Sequence, residues 1–248
     1  QMCIRDSPWT VTYLRQEFGL SVRQIADLAL CNLPLQGDKN IETNILDRYR
    51  LVAREYITVI VSGMQADGYY CRDRGLYLKR FVEILEMIAK EHCPDERKIV
   101  LLAHTFPPYG DEPGYIADLW KLLPCGLKSK IVVVKEKILP TRARFILGNS
   151  LYVLTGRMHP AVSALQMGTP AICLSYSVKY KGVIGESLGR EDLIVEAGEE
   201  RIWQNGEIVS EIREKLLYLS AHLEKIKSEI REIVKRQREL LDGVWKEL

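Results

Sequence analysis

Hydrophobic and polar positions change their period along this chain, and from Tyr56 onward two periods alternate. Tyr56–Ser62 (YITVIVS), Lys98–Ala103 (KIVLLA), Lys130–Val134 (KIVVV), Leu151–Leu154 and Ala171–Ser175 are short β-branched or apolar runs. They predict strands buried on both faces of a sheet. Leu193–Glu196 is a further short candidate. Between the first two runs, Leu78, Phe81, Val82, Leu85, Ile88 and Ala89 recur at the three-and-four spacing of a helix with one apolar face. Pro113–Leu123 predicts a helix with proline near its first turn, where the missing N–H costs nothing. Thr141–Leu147 and His159–Met167 supply two more helices. The alternation predicts an α/β fold: a Rossmann-like parallel sheet with helices on both faces. Ligands on such sheets bind beyond the carboxyl ends of the strands. Chemistry is therefore expected in the loops after Ser62, Ala103, Val134, Leu154 and Leu174.

The ends of the chain have other patterns. Val11–Phe18 predicts a helix stopped at Gly19, and Val22–Leu30 holds a short strand candidate ended by Asn32–Pro34. Residues 1–35 read as the remnant of an earlier domain, 36–55 as a polar linker with a helical turn, and 56–205 as the Rossmann-like domain. The opening QMCIRDS resembles a translated sequencing adapter, so the chain is expected to be a fragment. In 206–248, Val209, Ile212, Leu216, Leu219, Leu223, Ile226, Ile230 and Ile233 alternate spacings of three and four between charged flanks. This heptad stripe predicts a long C-terminal helical segment. It either packs on the body or joins subunits of a homo-oligomer.

Composition narrows the function. Apolar residues are 47% and charged residues 27%, an ordinary globular balance. With 35 basic and 33 acidic side chains the net charge is +2, which gives no broad pull toward nucleic acid. No run is long enough for a transmembrane segment. Cys3, Cys31, Cys71, Cys93, Cys125 and Cys173 form no CxxC pair and no zinc-like spacing, which suggests reduced thiols and a cytoplasmic protein without a metal.

The richest stretch is TGRMHPAVSALQMGTPAICLSYSVKYKGVIGESLG, residues 155–189. Arg157 and His159 fall where a helix begins, with Pro160 in its first turn. Free N–H groups and a partial positive charge there, joined by a guanidinium and an imidazole, suit a phosphate. Ser175, Tyr176, Ser177 and Lys179 fall where the following strand runs out. Each residue has a plain structural alternative: an ion pair for Arg157, a helix cap for His159, a rim aromatic for Tyr176, and solvated charges for Lys179 and Lys181.

The string GRMHPAVSALQMGTPAICLSYSVKYKGV resembles the RxH segment of the polysaccharide pyruvyl transferase family. Arg157, Met158 and His159 match its triplet, and Ser175, Tyr176 and Lys179 its second element. LLAHTFPPYGDEPGYIADL resembles the family's strand and His loop followed by an acidic helix start, which places His104 and Asp111 near the site. TYLRQEFGL and VRQIADLAL resemble the end of the family's first domain, with Asp27 at a strand end. The resemblance implies the second half of a GT-B-like two-domain fold, and an enzyme that moves pyruvate from phosphoenolpyruvate onto a saccharide acceptor as a ketal, without a cofactor. His159 and Arg157 are then the catalytic pair, and Ser175, Tyr176, Lys179 and His104 bind substrate. Alone, such a fragment is expected to be inactive. The alternatives are a sugar-nucleotide glycosyltransferase, with Glu186 on the ribose, and a non-catalytic interaction module.

Overall fold

A computed structural model describes residues 8–22, 25–64, 68–94 and 96–245. Six parallel strands form one sheet: β1 (Tyr56–Ile60), β2 (Lys98–Leu102), β3 (Ile131–Val134), β4 (Val153–Thr155), β5 (Ala171–Ser175) and β6 (Ile194–Glu196), in spatial order 3-2-1-4-5-6. The chain runs outward from β1 to β3, crosses back, and continues from β4 to β6. β1 and β4 are therefore neighbours whose connections leave in opposite directions, and the crevice beyond their carboxyl ends is the topological switch point. Every residue of β1, β4 and β5 is buried, as the unalternated apolar runs require.

The helices form two layers. On one side α3 (Arg74–Glu91) packs with α4 (Glu112–Leu122), α9 (Glu200–Gln204) and α10 (Glu207–Ala221). On the other, α2 (Lys39–Arg48), α6 (Pro140–Asn149), α7 (Met158–Gln166) and α11 (Leu223–Trp245) contact one another in sequence. Helix α1 (Pro8–Phe18) ends at Gly19, whose positive φ of 62° suits a residue without a Cβ. The single turns α5 (Cys125–Lys128) and α8 (Val178–Tyr180) are too short to show a period in sequence. A π-helical turn, Lys181–Ser187, follows α8 directly.

Two expectations change. In place of a strand over Val22–Leu30, the described residues of that segment form a 3-10 turn at Leu28–Leu30. Asp27 therefore stands at no strand end: its carboxylate accepts the Ala29 N–H at 2.8 Å and caps that turn. The turn is also tied sideways, because the buried Arg144 of α6 donates to the Ala29 and Cys31 carbonyls at 2.8 and 2.7 Å. The polar stretch 36–55 carries a ten-residue helix, α2, capped by Asp38.

The heptad stripe breaks at His222 into α10 and α11. Ile212, Leu216, Leu219, Ile226 and Ile230 are buried within this one chain. No helix among the described residues is long and apolar enough to cross a membrane. Cys31, Cys93, Cys125 and Cys173 are free thiols, Cys71 is buried, and Cys3 lies outside the described residues.

Candidate functional site

Three loops at the carboxyl edge of the sheet enclose a cavity of about 200 Å³. His104 and Thr105, after β2, form one wall. Arg157, Met158, His159 and Pro160 come from the start of α7, and Tyr176, Ser177, Lys179 and Tyr180 from the turn after β5. Met64 closes the side toward β1. Larger cavities, near Arg50 and Arg97 and between α3 and α10, lie away from these loops and gather none of the candidate site residues.

Helix α7 begins where the chain pattern places it. Thr155, the last residue of β4, accepts the Arg157 N–H on its hydroxyl at 2.9 Å and turns the chain out of the sheet. Arg157 occupies the N-cap position, and no side chain caps the first turn. His159 is exposed at the mouth. The uncapped turn leaves its positive end directed at the cavity.

The Arg157 side chain does not simply extend into the cavity. Its Nε donates to Oε1 of Glu112 at 2.8 Å. Glu112 has no exposed surface, and its Oε2 accepts the backbone N–H groups of His104 and Thr105 at 2.7 and 2.9 Å. The ion-pair alternative for Arg157 is thus realised, while Arg157 also lines the cavity. One terminal nitrogen, Nη2, is buried with no hydrogen-bond partner, close to Gly110. A Cβ at Gly110 would stand 3.0 Å from it, so a side chain there would press on the guanidinium.

His104 is held well below an ordinary imidazole, to about 4, first by burial and then by the positive charges of Arg157 and His159. It is neutral at pH 7 and offers hydrogen bonds without charge. The floor is phenolic. Tyr70 places its hydroxyl 2.7 Å from the Gly156 carbonyl oxygen and 2.8 Å from that of Leu174, and Tyr180 donates to the Gly156 carbonyl at 2.9 Å. Tyr176 packs edge-on against both rings.

Arg157, His159, Tyr176, Lys179 and His104 are therefore brought together. Ser175 is not: it is buried as the last residue of β5, and its hydroxyl faces the Ser177 carbonyl at 3.3 Å. Ser177 takes the place on the wall. Asp111 caps α4 through the Gly114 N–H at 2.9 Å and leaves the inward position to Glu112. Glu186 is exposed on the π-helical turn, outside the cavity. Sequence reasoning missed Glu112, although it adjoins the acidic helix start read at Asp111.

Solved structures with this fold include UDP-N-acetylglucosamine 2-epimerases. The Rickettsia bellii enzyme superposes with a TM-score of 0.51 at 18% identity, over 97% of this chain and 61% of its own. The Methanocaldococcus jannaschii enzyme, solved with UDP-GlcNAc and UDP, gives 0.51 at 17% identity, over 82% and 52%. The chain thus spans half to three fifths of the length of these GT-B-like proteins, and at such identity the likeness is one of fold. No curated protein matches the sequence. The model of the polysaccharide pyruvyl transferase family matches residues 2–178, which include the RxH helix start and the strand after it, and the chain belongs to that family.

Proposed function

We propose that this chain is the donor-binding part of a cytoplasmic enzyme that transfers pyruvate from phosphoenolpyruvate to a saccharide of a cell-surface polysaccharide. The observation that carries this reading is the single cavity into which Arg157, His159 and Lys179 converge beside the uncapped start of α7. Phosphoenolpyruvate is small and bears a phosphate and a carboxylate close together. A cavity of about 200 Å³ with three basic side chains suits it. A nucleoside diphosphate asks for a pocket of about 300–1,000 Å³ and for a ribose partner that Glu186, outside the wall, does not supply.

In the reaction two sugar hydroxyls add to the central carbon of the enol and give up their protons. The methylene carbon gains one of these protons and becomes a methyl group, the carbon–oxygen bond to phosphate breaks, and phosphate leaves with the other proton. Arg157 and the helix start bind the phosphate. His159, exposed at the mouth, serves as the general acid or as a second phosphate ligand. Lys179 holds the carboxylate, and the neutral His104 and Tyr176 hydrogen-bond the substrate. The free thiols fit a reducing compartment. By itself this chain binds donor without turnover.

Thermal unfolding tests the donor. Phosphoenolpyruvate should raise the melting temperature, as a ligand of the native state must. Uridine, guanosine and cytidine diphosphates should raise it less at equal concentration. Stabilisation by a nucleoside diphosphate and not by phosphoenolpyruvate would transfer the cavity to a sugar-nucleotide donor.

A further inference from the structure

We propose that Glu112 is the positioning residue of this site: its carboxylate fixes both the Arg157 guanidinium and the His104–Thr105 loop, and so sets the direction in which positive charge meets the donor. The inference rests on reading the cavity as an anion site.

Three observations carry it. First, a fully buried carboxylate is expensive unless its lone pairs are filled. Glu112 fills them with groups from two loops that both line the cavity: the N–H groups of His104 and Thr105, and Nε of Arg157. The carboxylate is thus the common anchor of two walls that share no strand. Second, the geometry of the ion pair is selective. It takes Nε alone and leaves the outer nitrogens for other partners. A salt bridge serving only as glue would be expected to take the two-pronged arrangement, which binds a guanidinium most tightly. Third, Nη2 of Arg157 is buried without a hydrogen-bond partner close to Gly110 and Gly63, so the guanidinium keeps an unfilled donor inside the site. Glu112 also cancels part of the Arg157 charge before any donor arrives. The remaining positive charge is carried by Lys179, on the wall after β5. A dianionic donor is thereby drawn across the cavity.

A double-mutant cycle on phosphoenolpyruvate affinity, together with side-chain NMR, tests this. In the native protein the Arg157 Nε–H should be visible and slow to exchange near neutral pH, as a donor to a buried carboxylate is. Arg157→Lys should weaken phosphoenolpyruvate binding by about tenfold, the loss of one charge-assisted bond. In a Glu112→Gln background the same change should cost less than about twofold, because the guanidinium is already unaimed. A merely structural Glu112 would lower the melting temperature and leave the two effects additive, and additivity overturns the proposal. If Glu112→Gln does not fold, Glu112→Asp, which keeps the charge and shortens the reach by one methylene, replaces it in the cycle. Native protein that binds no phosphoenolpyruvate overturns the donor reading. The Nε–H signal then still decides Glu112, since a freely exchanging Arg157 overturns its role regardless of donor.

Discussion

Arg157 and Glu112 show how one pair of side chains serves both the fold and the site. Removing the arginine strands a buried carboxylate, and the cost of that is large. Arg157→Ala should therefore destabilise the protein by about 3–5 kcal/mol in denaturant titrations, and also abolish protection by phosphoenolpyruvate. Loss of protection at unchanged stability would mean that Glu112 is satisfied without it. His104 gives the matching pH prediction. Its imidazole is held at about 4 in the folded state, whereas the unfolded side chain titrates near 6.5. Between those values the unfolded state binds more protons, so this group makes stability rise with pH across that window and contributes no slope above it. His104→Gln should flatten the dependence by up to about 1.4 kcal/mol per pH unit. His92 is lowered too, by burial, so the difference between the two proteins, not the native slope alone, isolates His104.

Among the elements, the regular ones were legible and the interruptions were not. All six strands appear within two residues of their apolar runs, because a strand buried on both faces leaves an unbroken signature. Turns of three or four residues, such as α5 and α8, carry too few positions for any period. The segment before α2 was misread because Ile25, Ala26, Leu28 and Leu30 are apolar enough for a strand, while Asp27 bonds locally and turns the chain. Within the site, the helix start at Arg157 was readable from Gly156, Arg157 and Pro160. The division of labour between Asp111 and Glu112 was not, since adjacent residues at a helix start point to different sides and sequence does not say which side is buried. Arg144 supplies the test at this scale. Arg144→Met should release the Leu28–Gln36 segment, at about 2–3 kcal/mol for lost bonds to a charged group, and open it to limited proteolysis. A protease pattern identical to the native one would show that α2 and the Thr141–Pro34 bond suffice to hold it.

At the scale of the whole molecule, most of the heptad stripe packs inside the chain. Ile212, Leu216 and Leu219 of α10 and Ile226 and Ile230 of α11 are at or below 1% exposure, while Val209, Leu223 and Ile233 are partly buried against the same core. Light scattering should give the mass of one chain at micromolar concentration, and a stable dimer would point to a different surface. The phenols beneath the cavity have a separate consequence. Tyr70 is pushed well above the ordinary tyrosine range, and Tyr180 likewise, each chiefly by burial. They stay protonated throughout the range in which an enzyme is assayed. The pH dependence of phosphoenolpyruvate binding should then report the rim and the ligand's own phosphate, so a titration of affinity reads the walls of the cavity against a silent floor.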